Sequence, residues 1–419
     1  MNSTEKTEKA VRDFLKGVSE TNRVYFVGST TGNPLEYRPG EAMTFKLRVK
    51  TETEDVPVPF IAYSCEGEDG VKTEGFAAPA EDGWFYFDAS IGRDGFVHVI
   101  AKASDENKNV IEGIDIFEGG AGADIGKIVM GTEEPDDYLA FWDELKQKVR
   151  ETEPAILFQE KFEREALSDF ELYDMRVKAP DGDFVTFFMT CPKNAEKGSL
   201  KLRILTHGYG VCDVCQNNDC AQAGTLSLFI SAHAILSRQS EDYYTSLYDG
   251  ALKGFGFDNA ENQDPHTTYW AKMFMRDMQA VRFAMESPLW NGRDVLFTGG
   301  SMGGMRACNL AAHTGIATEC SLDIPWFSDL GGCKNCARLY GWRPDYENGV
   351  RYFDTAVAAK YLRCPVRISA GLGDYVCPPS GEMALYNAIS APKEITFIQN
   401  QTHPYRPLEP MKYTLRSGR

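Results

Sequence analysis

The six residues Gly299-Gly300-Ser301-Met302-Gly303-Gly304 set one serine between pairs of glycines. The apolar run Val295 to Phe297 ahead of them reads as a buried strand and Met305 to His313 after them as a helix, so Ser301 falls on a strand-to-helix turn. Such a turn holds its serine in a strained backbone conformation with the hydroxyl presented outward. Gly299 and Gly303, two residues to either side, leave room for strand and helix to converge. The chemistry this spacing suits is nucleophilic attack by the serine oxygen.

A serine hydroxyl becomes a nucleophile when a base takes its proton and an acid orients that base, here expected in the chain order serine, acid, histidine. The chain has six histidines. His98, His207, His233 and His266 precede the turn, and His313 lies inside the helix that follows it, which leaves His403, just past the last apolar strand, as the base. Asp374 closes the stretch from Val366 to Gly373 and best fits the acid. Asp323 is its rival, although the following Ile324-Pro325-Trp326 reads as a pocket wall formed by Pro325 and Trp326. A tetrahedral intermediate also needs two backbone N–H donors for its oxygen. Met302, directly after the serine, offers one, and Tyr209 in His207-Gly208-Tyr209-Gly210 offers the other, the alternative there being a plain glycine turn.

Two Cys-x-x-Cys pairs, Cys212 with Cys215 and Cys333 with Cys336, could between them supply four thiolates for zinc. The pairs lie far apart in the chain and nothing else in the sequence supports a metal, so free thiols are expected, the alternatives being zinc or a local disulfide within a pair, with no metal and no cofactor expected.

These residues need a scaffold. With 419 residues the chain is too long for one ordinary core and suggests two domains. Residues 1–20 carry Val11, Phe14, Leu15 and Val18 at helical spacing. Over residues 21–120 short β-type runs alternate with Gly, Pro, Asp and Asn, the pattern of a small β-sandwich of immunoglobulin-like type. Its aromatics, Trp84, Phe85 and Tyr86, read as core alternation rather than a binding surface. The cluster Gly119-Gly120-Ala121-Gly122 opens an expected linker at 121–134. From 135 to 419 strands alternate with helices. The first helix carries Tyr138, Phe141, Trp142, Leu145 and Val149 on one face, and the order predicts an α/β domain with a mostly parallel sheet. All of the candidate site residues lie after residue 200, so the N-terminal strands are expected to carry no chemistry.

Acidic residues outnumber basic ones by 61 to 44, for a net charge of −17, which argues against nucleic acid or an anionic membrane as partner. No stretch of apolar residues is long enough to span a bilayer, and the charged N-terminus has no apolar signal core. With eleven scattered cysteines, an odd number, the expectation is a cytoplasmic protein with reduced thiols.

Residues 135–419 resemble the carbohydrate esterases that include acetyl xylan esterase and cephalosporin C deacetylase. The likeness rests on Tyr138-Leu139-Ala140-Phe141-Trp142, His207-Gly208-Tyr209-Gly210, Gly299-Gly300-Ser301-Met302-Gly303-Gly304 and Asp323-Ile324-Pro325-Trp326. It is most specific in Gly371-Leu372-Gly373-Asp374-Tyr375-Val376-Cys377-Pro378-Pro379. The resemblance implies an α/β-hydrolase fold and a serine esterase that removes acetyl groups from sugar hydroxyls, with Ser301, Asp374 and His403 as triad and Tyr209 and Met302 as oxyanion donors. The implied partner is an acetylated carbohydrate such as xylan or xylo-oligosaccharide, and a homo-oligomer is compatible with it. Two departures stand out: Met302 replaces the glutamine usual after the nucleophile, and Ser237-Arg238-Gln239-Ser240 replaces the usual Arg-Gly-Gln-Gly. The alternatives are another acyl hydrolase, acting on a larger ester, a lactone or a peptide, and a non-catalytic carbohydrate-binding protein.

Overall fold

Alternation of apolar and polar residues builds the first part of the molecule. The computed structural model describes residues 23–339 and 341–417, so the helix expected over residues 4–20 lies outside the described residues. Seven strands come first: β1 (Tyr25–Thr30), β2 (Met43–Lys50), β3 (Phe60–Gly67), β4 (Lys72–Ala77), β5 (Phe85–Ala89), β6 (Gly95–Ser104) and β7 (Phe117–Ala123). They pair into two antiparallel sheets, β1-β2-β5 and β4-β3-β6-β7. Strand β2 buries Met43, Phe45, Leu47 and Val49 and turns the residues between them outward, as a two-residue period requires. Both sheets contribute to one apolar cluster that includes Phe45, Ile61, Phe87, Val99 and Phe117. The run Trp84-Phe85-Tyr86 divides: Phe85 enters that core, whereas the Trp84 ring lies under the cations of Lys46 and Arg48, 4.7 and 4.3 Å from its centre.

The glycine cluster Gly119 to Gly122, expected as the start of a linker, is instead part of β7, paired along its length with β6. Glycine is there for approach rather than for freedom. A Cβ on Gly120 would fall within hydrogen-bond range of the Val97 and Leu372 carbonyls, and one on Gly119 would strike the Gln399 side chain.

Ten further strands form one sheet: β8 (Ile156–Phe162), β9 (Phe170–Lys178), β10 (Phe184–Pro192), β11 (Leu200–Thr206), β12 (Thr225–Ile230), β13 (Trp290–Gly300), β14 (Glu319–Asp323), β15 (Val366–Gly371), β16 (Lys393–Ile398) and β17 (Lys412–Ser417). Their order is β17-β16-β15-β14-β13-β11-β12-β10-β9-β8. The six central strands from β12 to β16 run parallel, and antiparallel strands extend both edges. Strand β12 is buried at all six positions, as a parallel strand covered on two faces must be.

The helices are α1 (Tyr138–Glu151), α2 (Glu241–Asp249), α3 (Tyr269–Met285), α4 (Met302–His313), α5 (Gly332–Cys336), α6 (Thr355–Ala359) and α7 (Pro379–Ala388). Helix α1 begins three residues after Pro135 and buries the five residues read as its apolar face, Tyr138, Phe141, Trp142, Leu145 and Val149. Helix α4 begins at Met302, earlier than the pattern suggested, because Gly303 and Gly304 are held in the first turn by the strand they pack on. Strands β11 and β13 are neighbours, with β12 on the far side of β11, so the sheet changes winding direction between them. Loops that leave carboxyl ends at such a point diverge and open a crevice.

Candidate active site

Ser301 sits in that crevice, on the turn from β13 into α4, with φ 56° and ψ −124°. A non-glycine residue there is strained, and its backbone bonds hold it: its N–H donates to Asp323 O at 2.9 Å, and its carbonyl accepts from Trp326 N–H at 3.0 Å. The flanking glycines are obligatory. A Cβ on Gly299 or Gly303 would come within 3.0 Å of facing main-chain atoms, Gly303's against Thr206. Thr206 Oγ1 then donates to Gly303 O at 2.7 Å and ties helix to strand. Met302 is the first residue of α4, so its N–H is among those with no partner inside the helix, and its side chain is fully buried.

The loop after β11 lies against this turn: a Cβ on Gly208 would be 3.7 Å from Ser301 Cβ. Two buried histidines hold it, both passed over in the sequence because each precedes the serine. A carbonyl only accepts, so His207 Nδ1 carries the proton it gives to Gly208 O at 2.7 Å, and its Nε2 accepts the Ala232 N–H at 2.9 Å. By the same argument His233 Nε2 donates to Gly210 O at 2.9 Å, and its Nδ1 accepts from the Tyr269 hydroxyl at 2.5 Å. Burial keeps both neutral: His207 is held well below the ordinary imidazole range, the Arg306 charge adding to the effect, and His233 is pushed down to about 4. Below the loop Arg306 meets Asp277 through two bonds of 2.9 and 2.6 Å, both groups wholly buried.

Asp374 and His403 come together. His403 Nδ1 donates to Asp374 Oδ2 at 2.9 Å, while Asp374 Oδ1 accepts the N–H groups of Val376 and Cys377 at 3.0 and 2.9 Å. The carboxylate is fully buried with its oxygens aimed, and the imidazole remains about one-quarter exposed. Asp323 does not reach the imidazole: its side chain accepts from Arg406 at 3.2 Å, and Arg406 also donates to His403 O at 3.2 Å. Through Arg406 the histidine loop and the serine turn share Asp323. His313, by contrast, is deep in the core, stacked on Trp142 and bonded to the Tyr138 hydroxyl at 2.9 Å.

Tyr209 lies in the loop held by the two histidines. Its ring stacks on Phe255 at 4.0 Å and meets Trp326 and Trp342 edge-on at 5.7 and 4.8 Å. Pro325 packs on the first turn of α4, 2.9 Å from where a Cβ on Gly304 would stand. Trp326, expected in the wall, is 1% exposed beneath Trp342, which is 44% exposed, and donates its indole N–H to Trp342 O at 2.5 Å. Trp342 is thus the outer aromatic that the sequence reading missed. All eleven cysteines are unbridged. Among the described residues, candidate metal ligands cluster only at Asp374, Cys377 and His403, and neither Cys-x-x-Cys pair forms such a group.

A serine on a strained turn, a helix N-terminus behind it, and a carboxylate–imidazole pair can together carry out acyl transfer. Residues 125–336 and 346–413 match the family model described as acetyl xylan esterase (AXE1). The acetyl esterase Axe7A of Xylanibacter ruminicola is 25% identical over 280 residues, 63% of this chain, and the chain spans 62% of that relative's length. Among solved structures, the acetyl xylan esterase from Paenibacillus sp. R4 superposes with a TM-score of 0.56 at 19% identity, over 67% of this chain and 93% of that one. Acetyl xylan esterase 1 from Thermoanaerobacterium sp. JW/SL YS485 does so at 0.55 and 21%, over 68% and 93%. These likenesses extend to the α/β-hydrolase sheet, and with a family match across most of its length the chain belongs to the acetyl xylan esterase family.

Proposed function

We propose that the protein is a serine esterase that removes acetyl and other short acyl groups from carbohydrates such as acetylated xylan or xylo-oligosaccharides. The observation that carries the reading is the 2.9 Å bond from His403 Nδ1 to Asp374 Oδ2, which leaves Nε2 as the nitrogen free to take the Ser301 proton. Ser301 Oγ attacks the acyl carbon, and the oxygen that gains charge is met by the N–H groups of Met302 and Tyr209. As the bond from the acyl carbon to the sugar oxygen breaks, His403 passes the proton to that oxygen and the sugar leaves with a free hydroxyl. A water, deprotonated by the same imidazole, then cleaves the acyl-enzyme and returns the serine.

The family and the names of the relatives support the choice of acetylated carbohydrate over a larger ester, a lactone or a peptide. In the same reading, residues 21–120 are a small immunoglobulin-like sandwich ahead of a catalytic domain, supported by the two antiparallel sheets and their shared core.

The test is acetate release from acetylated xylo-oligosaccharides and from 4-nitrophenyl acetate by the wild type and by Ser301→Ala. The variant should lose on the order of 10⁴-fold or more in kcat, and brief exposure of the wild type to substrate should leave an acetyl mass on the peptide carrying Ser301. Near-normal turnover by a folded Ser301→Ala protein would rule the assignment out.

A further inference from the structure

The two loops that bring Asp374 and His403 together are not held by the catalytic sheet alone. They lie along the edge of β7 opposite β6, at the end not already taken by Pro34 and Tyr37, which bond Gly122 and Asp124. Gln399 is 1% exposed, and its amide behaves like the backbone of an added strand: Oε1 accepts Gly120 N–H at 2.9 Å and Nε2 donates to Gly120 O at 2.9 Å and to Ser29 Oγ at 3.1 Å. Asn400 continues the pattern. Its Oδ1 accepts Glu118 N–H at 2.9 Å and its Nδ2 donates to Phe26 O at 3.4 Å, with its own backbone at φ 57°.

The acid loop is wedged between this edge and the histidine loop. Gly373 N–H donates to Gln401 O at 3.0 Å, while its Cα faces Glu118 O with no room for a methyl group. Tyr375, directly after the acid, is stacked by the His98 ring at 3.7 Å, and His98 Nε2 is 2.8 Å from Glu118 Oε1. A free strand edge offers unpaired N–H and C=O groups that need partners when buried. Here Gln399 and Asn400 provide them, four and three residues before His403.

We infer that the outer edge of β7 is part of the catalytic apparatus, and that Gln399 and Asn400 are positioning residues through which this edge sets the alignment of His403 on Asp374. The inference rests on the reading of Ser301, Asp374 and His403 as a triad. It follows that the N-terminal strands are neither a spacer nor a dispensable binding module. Removing the amide of Gln399 frees the loop to shift, and a displacement of about 1 Å at a catalytic group costs on the order of 10²-fold in rate.

The experiment compares full-length Ser301→Ala, Gln399→Ala, Asn400→Gly, Asn400→Asp and Ile61→Val on 4-nitrophenyl acetate, recording kcat, KM and the pH profile of kcat/KM per folded molecule. Asn400→Gly removes the side chain while keeping the left-handed backbone at no steric cost, and Asn400→Asp keeps the acceptor for Glu118 N–H. Ile61→Val loosens the N-terminal core away from the loops.

Gln399→Ala and Asn400→Gly should lose about 10- to 100-fold in kcat. Their KM should stay within about twofold and the pH profile should be displaced, with Asn400→Asp restoring most of the rate and Ile61→Val leaving it unchanged. Wild-type kcat and pH profile in Gln399→Ala and Asn400→Gly, or an equal loss in Ile61→Val, would overturn the inference while a dead Ser301→Ala left the triad standing. An active Ser301→Ala would remove both. Should Gln399→Ala not fold, the Asn400 pair decides alone.

Discussion

The Cα of Gly373 stands against the carbonyl oxygen of Glu118, across the boundary between the N-terminal sheets and the catalytic sheet, with less space than any side chain needs. Because Gly373 precedes Asp374, this one contact links an early strand to the acid of the candidate triad. Gly373→Ala must therefore push β7 and the acid loop apart. We expect a loss of about 1–3 kcal/mol in stability, typical of overpacking, together with a fall in kcat. Thermal unfolding and ester hydrolysis on the same preparation check this, and an active variant that melts as the wild type does would contradict it.

Asp374→Asn keeps the shape of the acid and an oxygen for the Val376 and Cys377 N–H groups. It can also turn an N–H toward His403, favouring the tautomer whose Nε2 carries the proton and cannot accept one from Ser301. The expected result is a folded protein with kcat lower by on the order of 10⁴-fold. A loss below tenfold would show that the imidazole does not depend on this carboxylate.

Arg306 and Asp277 form a wholly buried pair beneath the loop that follows β11, and burial pushes the Asp277 carboxyl upward despite its partner. Arg306→Met leaves that carboxylate without a counter-charge, which should cost about 3–5 kcal/mol. Replacing both residues, as Arg306→Met with Asp277→Leu, should recover much of the loss because no lone charge remains. Chemical denaturation of the single and double variants measures the difference. A double variant no more stable than the single one would show that the pair is needed for more than mutual neutralisation.

His233 makes stability fall with acid. Its folded-state value of about 4 lies below the ordinary 6.5, so the unfolded chain takes up the proton first as pH falls. The contribution is fully present above pH 6.5 and is lost as pH drops through about 4, amounting to roughly 3 kcal/mol for this group. His207, depressed in the same direction, adds to the trend. His233→Gln can still donate to Gly210 O and accept from Tyr269, but it does not titrate. Its unfolding free energy should therefore decline less steeply between pH 6.5 and 4, and an unchanged slope would mean that His233 is not the group responsible.

The serine turn was legible in the chain because its causes are local: apolar strand, glycines at the two positions where backbones meet, then helix. Chain order left His403 as the histidine that could follow the serine and acid. The apolar face of α1 was equally plain, since a helical period is written in consecutive residues. Membership of the acetyl xylan esterase family followed from short blocks of this kind.

What the linear order could not reveal depends on residues far apart. The expected linker is strand β7, and glycines that permit close approach look the same in a sequence as glycines that permit motion until the facing chain is known. His207 and His233 were set aside by their place in the chain, although the fold uses them to hold the loop that carries Tyr209. Trp342 escaped notice in an irregular stretch with no period to expose it. Local pattern determines which residues form a turn or a strand. Which strand edge lies beside which loop is set by the packing of the whole molecule, where Gln399, hundreds of positions from Gly120 and Ser29, meets both.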